Sequence, residues 1–253
     1  MSEENSKDKE TPDFQKEDWY TDALEYWSEK PATIDGVLGG YGEIDEIDVE
    51  GSRLFISEYI YGKKGARNRI ISSPRISDEY ACDCGAGIGR VTKHFLLRIF
   101  KKVDLVEYTP KFIKQAENDF LKKEKEEGRI GEFICSGLQE FMPKEGKYDL
   151  IWCQWVLGHL KDDDLIKFFE RCKKGLKPKG LIGVKENVSV IGYQFDETDS
   201  SVTRHVYHEI YKKIFQKSGL KIVKEEIQHG MPEELFEVKM YALENVDNQN
   251  QEK

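Results

Sequence analysis

The sequence lacks an excess of positive charge and any apolar run long enough to cross a membrane. Its 253 residues carry a formal net charge of −9. This argues against general binding to nucleic-acid phosphate, which needs a basic surface. No apolar h-region stands near the N-terminus, and no apolar run has membrane length. We therefore expect a protein of the cytoplasm or nucleus that is not secreted and binds neither membranes nor nucleic acid.

Cysteine is scarce and poorly spaced for metal binding. The chain has five cysteines, an odd number, and Cys84, Cys135 and Cys153 lie in or beside apolar runs typical of strands. Reduced core thiols fit this pattern better than disulfides. Cys82 and Cys84 form a CxC pair without a partner cluster, which is poor spacing for zinc. We expect no metal site.

The apolar content suits one main domain with additions. With 38% hydrophobic residues, a chain of this length has an ordinary core. The polar ends of the chain predict disordered tails. Four glycines within residues 36–42 predict an irregular loop, which is either a lid over a ligand or a plain connector. The predicted segments are a tail (1–15), a helical extension with the glycine-rich loop (16–60, helical over 50–60), a basic surface loop (61–78), the main domain (79–244) and a second tail (245–253).

A glycine-rich turn opens the main domain. A short apolar run ends at Asp83, Gly85, Gly87 and Gly89 alternate after it, and a helix-like segment covers residues 90–100. Strand, turn and helix in this order begin a doubly wound nucleotide-binding sheet. The spacing is GxGxG rather than the GxGxxG of a dinucleotide site. This tighter turn suits a ligand without phosphates, such as the amino-acid end of S-adenosylmethionine, although such turns are also common at strand ends.

Strands and helices alternate regularly after the turn. The pattern predicts five βα units followed by a strand pair, hence an α/β fold with a seven-stranded sheet. Thr109 and Pro110 suit the start of the second helix. The predicted strands after the first are 103–108, 132–136, 148–156, 181–188, 220–228 and 235–243. The three predicted later helices run from Thr109 to about residue 127, over 161–176 and over 201–218.

Polar residues at the strand ends predict one ligand crevice. Glu107 ends the second strand, where an acid accepts hydrogen bonds from both hydroxyls of a ribose. Its alternative is an ordinary surface glutamate. Gln139 follows the third strand, where an adenine would lie, and Gln154 with Trp155 ends the fourth beside the reactive end. Because the carboxyl ends of parallel strands share one edge, these residues should converge.

Several motifs together resemble the eukaryotic protein α-N-terminal methyltransferases. The most specific are Gln-Trp-x-x-Gly-His at 154–159 and Asp-Gly-x-Leu-Gly-Gly-Tyr-Gly at 35–42. Further matches lie at 26–27, 83–90, 137–139, 151–159, 185–187 and 196–201. The resemblance covers about residues 20 to 244. It implies a Rossmann-like methyltransferase sheet, mostly parallel with the last strand antiparallel, helices on both faces and an N-terminal helical extension.

The resemblance also implies an activity and a cofactor. Members of this family transfer methyl groups from S-adenosylmethionine, which becomes S-adenosylhomocysteine, to the free α-amine of proteins that begin Xaa-Pro-Lys or Xaa-Pro-Arg. The partner would therefore be a protein N-terminus, with ribosomal or chromatin proteins as plausible sources, and the enzyme is expected to be a monomer. Two alternatives stay open, a small-molecule methyltransferase and a non-catalytic module that binds S-adenosylmethionine.

The cofactor residues are carried over position by position. Arg90 would pair with the methionine carboxylate through a charge-assisted bond, and its alternative is a solvated helix cation. Trp27 and Leu38 would belong to a lid over cofactor and peptide. The full set of predicted cofactor residues is Trp27, Asp83, Gly85, Gly87, Arg90, Glu107, Leu138, Gln139 and Gln154.

The substrate residues follow in the same way. His159 and Asp199 match the positions proposed as bases in the family, and the sequence does not rank them; Asp199 would also suit the start of a helix. Asn187 would fix the first peptide group, and Trp155 would offer a flat face to the proline, unless it is a core aromatic. An acidic loop would hold the cation of the third residue, unless it is simply solvated. The remaining predicted substrate residues are Leu38, Asp196, Ser201 and Phe236, the last standing where many members have a tyrosine.

Overall fold

The computed structural model describes residues 18–66, 69–190, 193–205 and 210–246, so both predicted tails lie almost wholly outside the described residues. An N-terminal extension precedes the main sheet. The prediction that the glycine-rich part is irregular is wrong at its start, where Ile34–Val37 form one short helical turn. The hydroxyl of Thr33 begins this turn by accepting from Gly36 N at 3.1 Å. The basic loop also forms a small hairpin. The elements are α1 (Trp19–Glu29), α2 (Ile34–Val37), α3 (Asp45–Tyr61), β1 (Lys63–Lys64) and β2 (Ile70–Ser72).

One mixed sheet forms the centre of the main domain. Its seven main strands are β3 (Tyr80–Cys84), β4 (Lys102–Glu107), β5 (Ile130–Cys135), β6 (Tyr148–Gln154), β7 (Leu176–Ser189), β10 (Leu220–Ile227) and β11 (Glu237–Asn245), and two short strands, β8 (Gln194–Asp196) and β9 (Ser201–His205), extend it beside β7. The seven main strands follow the order β10-β11-β7-β6-β3-β4-β5. β11 is antiparallel to both of its neighbours, while β7, β6, β3, β4 and β5 run parallel. The predicted seven-stranded sheet is therefore confirmed.

Helices cover both faces of the sheet. Residues alternate along β6, so Ile151 and Cys153 pack in one apolar layer, and Leu150 and Trp152 pack in the other. The second helix of the main domain is interrupted by a π-helical turn at Ala116–Phe120. The helices are α4 (Arg90–His94), α5 (Pro110–Gln115), α6 (Lys122–Glu126), α7 (Asp162–Gly175) and α8 (Ile210–Lys217).

The prediction of one helix over 201–218 is wrong at its start. Residues 201–205 form a strand, β9 (Ser201–His205), which pairs with β8 (Gln194–Asp196) and runs parallel to the end of β7. Residues 206–209 lie outside the described part of the chain. Two long-range contacts account for the strand: residues 204–205 pair with the end of β7, and the buried Arg204 side chain donates to the carbonyls of Leu157 and Leu160 at 3.0 and 2.7 Å.

The cysteines are all free thiols. Four of them are buried, as expected for core residues, but Cys135 is exposed at the end of β5, against the prediction. Among the described helices, none is long and apolar enough to cross a membrane.

Candidate active site

The glycine turn has the backbone that its spacing predicts. Gly85, Gly87 and Gly89 have φ values of 75°, 56° and 86°, a region that side chains disfavour. A Cβ on Gly85 would lie 2.5 Å from the Val156 side chain. The amides of Gly85 and Ala86 donate to Val106 O at 2.9 and 3.0 Å, so the turn is held over the end of β4.

Glu107 lies against this turn, as predicted. Its Oε2 accepts from Gly87 N at 2.8 Å, and its Oε1 accepts from Thr109 N at 2.7 Å. Burial raises the pKa of Glu107, while the two amides lower it in part. Each carboxylate oxygen keeps a further lone pair, so the side chain retains acceptor capacity for a diol.

A cavity opens above the turn and Glu107. It brings together most of the predicted cofactor residues, namely Trp27, Gly85, Gly87, Arg90, Glu107, Leu138, Gln139 and Gln154. Asp83 does not line it. Its carboxylate is buried and accepts from Thr92 Oγ1 of the helix after the turn at 2.7 Å, and burial raises the pKa of Asp83 to about 6. Asp83 thus supports the turn rather than facing a ligand.

A second cavity adjoins the first and shares Trp27, Val37, Trp155 and His159 with it. The predicted substrate residues that line it are Leu38, Trp155, His159, Asn187, Asp199, Ser201 and Phe236. Asp196 is not among them, since it is exposed and its Oδ1 accepts from Thr198 N at 2.8 Å. Glu186 and Glu234 line this cavity without having been predicted. The available signal for Glu186 was its position inside the matched motif at 185–187.

His159 has both ring nitrogens engaged. The Trp27 indole, which can only donate, lies 3.2 Å from Nε2, and the Ser200 carbonyl, which can only accept, lies 3.2 Å from Nδ1. The ring is therefore a neutral tautomer with hydrogen on Nδ1. The lone pair on Nε2 is occupied in this arrangement.

Asp199 is placed differently. It lies on the turn before β9, not at the start of a helix, so the predicted capping role is wrong. Its Oδ1 is buried and has no hydrogen-bond partner among the described residues. A buried carboxylate oxygen without a partner is costly, and a cationic or N–H group entering the second cavity would relieve that cost.

Trp155 stands between the two cavities in a rare backbone conformation. Its φ is 51°, and its indole nitrogen is buried without a partner among the described residues. Glu186 stabilises the following turn, because its Oε1 accepts from Val156 N at 2.8 Å and from Leu157 N at 2.7 Å. Trp155 therefore belongs to the walls of the site and is not a core aromatic.

The ionisation of Glu186 predicts a pH-dependent stability. Burial raises the pKa of Glu186 from 4.5 to about 7. Between these values the folded protein binds more protons than the unfolded chain, so this residue's contribution to the unfolding free energy falls as pH rises. Glu186→Gln keeps an oxygen acceptor without the charge. Relative to wild type, its unfolding free energy should rise by roughly 2–3 kcal/mol between about pH 5 and about pH 8.

Urea unfolding at both pH values measures this difference. Glu170→Gln, at an exposed acid of α7, is the matched control and should show little pH-dependent change. If the unfolding free energies of Glu186→Gln and wild type differed by the same amount at both pH values, Glu186 would ionise like an exposed acid and the prediction would be wrong.

Comparison with known proteins places this site in a family. A family model described as AdoMet-dependent proline di-methyltransferase matches residues 15–244. The chain belongs to this family. The resemblance inferred from the motifs, the methyltransferase fold and the cofactor class are thereby confirmed.

Individual relatives agree with the family model. N-terminal Xaa-Pro-Lys N-methyltransferase 1 of Xenopus tropicalis is 42% identical over 226 residues, which is 89% of this chain and 95% of the relative. Alpha N-terminal protein methyltransferase 1 of Oryza sativa subsp. indica is 43% identical over 231 residues, 90% of this chain and 72% of the relative. The structure of a SAM-dependent methyltransferase from Leishmania major superposes with a TM-score of 0.76 at 39% identity, covering 89% of this chain and 83% of that one.

The first cavity has the donors and acceptors that S-adenosylmethionine requires. Glu107 has lone pairs left for ribose hydroxyls, and Leu138 supplies a buried apolar wall. Arg90 is also buried, which rules out the solvated-cation alternative, and it lines the cavity while its Nη1 donates to Asp45 and Asp48. The residues present therefore fit the family's cofactor.

Proposed function

We propose that this enzyme methylates the free α-amine of proteins that begin Xaa-Pro-Lys or Xaa-Pro-Arg, with S-adenosylmethionine as methyl donor. The observation that carries this proposal is the junction of the two cavities at Trp27, Trp155 and His159. An amine in the second cavity can face the first cavity across these residues. The relatives, an N-terminal Xaa-Pro-Lys N-methyltransferase and an alpha N-terminal protein methyltransferase, support a protein N-terminus as the substrate.

The bound cofactor supplies an electrophilic methyl group, and the residues of this chain prepare the amine. An α-amine has a pKa of about 7.7–8.0 and is largely protonated at neutral pH, so one proton must leave before an in-line displacement. Asp199 is the better placed acceptor, because its Oδ1 is buried and unpaired among the described residues. His159 orients the junction through Trp27 and Ser200.

The second cavity can also select the next two residues of the substrate. Trp155 presents a ring to a proline, and Asn187, half-buried at the end of β7, offers an amide to the first peptide group. Asp199, Ser201 and Glu234 supply oxygen acceptors for a lysine or arginine. Asp196 would reach that cation only after the loop changes, since its carboxylate accepts from Thr198 N.

Mass spectrometry of a Ser-Pro-Lys peptide tests the proposal. Incubation with enzyme and S-adenosylmethionine should add mass in steps of about 14 Da, one CH₂ each, and fragmentation should place them on the N-terminal residue. The same peptide with an acetylated N-terminus is the control and should stay unmodified. Methylation of the acetylated peptide or of the lysine would overturn the assignment of the α-amine.

A further inference from the structure

One buried carboxylate from the N-terminal extension lies behind the cofactor cavity. Asp48 of α3 has no exposed surface. Its Oδ2 accepts from Arg90 Nη1 at 2.7 Å, and both of its oxygens lie 2.8 Å from Gln154 Nε2. Lys185 Nζ lies 2.5 Å from Oδ1. The side chain therefore joins three residues that are 42 to 137 positions away in the chain.

Two of these three partners line the cofactor cavity, whereas Asp48 and Lys185 do not. Lys185 is fully buried and also donates to Ser52 Oγ at 3.0 Å and to Gln228 Oε1 at 2.9 Å. A buried ammonium needs a compensating charge. Asp48 provides it, and Lys185 in turn holds Asp48 in place.

The bonds to Arg90 restrict where its remaining donors point. Nη1 donates to Asp48 and also to Asp45 Oδ1, each at 2.7 Å. The hydrogen bonds of Arg90 to described residues run through Nη1, its guanidinium carbon lies 5.7 Å from the Trp155 ring centroid, and the side chain lines the cavity. Because a guanidinium is a rigid planar fork, anchoring Nη1 fixes the direction of the other nitrogens.

The same carboxylate orients Gln154. The Gln154 amide nitrogen donates to Asp48, and its Oε1 accepts from Trp152 Nε1 at 3.0 Å. The amide cannot flip without losing both contacts. Thus the two polar side chains at this end of the cavity are set by one residue that does not touch the ligand space.

We propose that Asp48 is a positioning residue for the cofactor, which aims Arg90 and Gln154 at its amino-acid end. The extension helix α3 is then a part of the cofactor site. This inference rests on the cofactor of the proposed function but not on the identity of the methyl acceptor.

Binding measurements with two probes test this role. S-adenosylhomocysteine has the amino-acid end, and 5′-methylthioadenosine lacks it while keeping the nucleoside. In Asp48→Asn, calorimetry should show about a tenfold or greater rise in Kd for S-adenosylhomocysteine, since a misaimed charge-assisted bond costs at least that factor. The Kd for 5′-methylthioadenosine should stay near the wild-type value. Equal weakening of both ligands, or no change for S-adenosylhomocysteine, would overturn the inference.

Three further variants complete the design. Glu50→Gln alters an exposed acid of the same helix, paired with Arg53, and should leave both affinities unchanged. Asp45→Asn removes the other, partly exposed, partner of Arg90 and should weaken S-adenosylhomocysteine selectively but less. If Asp48→Asn does not fold, Asp48→Glu decides the question, because it keeps the charge that pairs with Lys185 but moves the carboxylate that Arg90 and Gln154 contact. An unchanged affinity for S-adenosylhomocysteine in Asp48→Glu would contradict the role. A wild-type protein that binds neither probe would instead refute the proposed function.

Discussion

An Asp199→Asn enzyme is expected to lose about 10²–10³-fold in kcat/KM for a Ser-Pro-Lys peptide. Asparagine has nearly the same shape, but it cannot accept a proton from an ammonium or stabilise it by charge. Asp199 Oδ1 is buried and unpaired among the described residues, so its charge acts on an incoming amine with little screening. Initial rates with varied peptide at saturating S-adenosylmethionine measure the effect.

The Asp199 prediction also separates substrate from cofactor effects. Asp199 lines only the second cavity, so Kd for S-adenosylhomocysteine should be unchanged. Asp196→Asn, an exposed acid of the same loop, should lower kcat/KM far less. If cofactor affinity collapsed in Asp199→Asn, or if Asp196→Asn were equally impaired, Asp199 would not be the residue that receives the amine.

Local patterns were enough to predict that the glycine turn and Glu107 meet at one crevice, whereas Trp27, Arg90 and Leu138 came from the family motifs. The turn at Gly85, Gly87 and Gly89 and the acid at Glu107 follow the two neighbouring strands of one βαβ unit, so their meeting follows from sheet geometry. The structure places Glu107 on the Gly87 amide at 2.8 Å. The family motifs then added the residues of the second cavity, of which Asp196 alone lies away from it.

Residues whose roles depend on distant partners were not predictable in this way. Asp48 stands in a charged stretch, a pattern typical of an exposed helix face. In the structure it is fully buried, because Arg90, Gln154 and Lys185 all contact its carboxylate. Residues 201–205 have no strong strand pattern, and their strand forms because β7 offers an edge. Long-range pairing overrides local propensity in such cases.

The contacts of Glu107 lead to the second large expected effect. In Glu107→Ala, Kd for S-adenosylhomocysteine should rise about 100-fold or more, since two hydrogen bonds to a charged acceptor contribute roughly 1.5–3 kcal/mol each. The amides of Gly87 and Thr109 would also lose their acceptor, which loosens the glycine turn. Calorimetry measures the affinity, and circular dichroism checks that the fold is retained.

Glu107→Asp is the control for this prediction. It keeps the carboxylate, and its Kd for S-adenosylhomocysteine should stay within about tenfold of the wild-type value. Wild-type affinity in Glu107→Ala would place the ribose away from this residue.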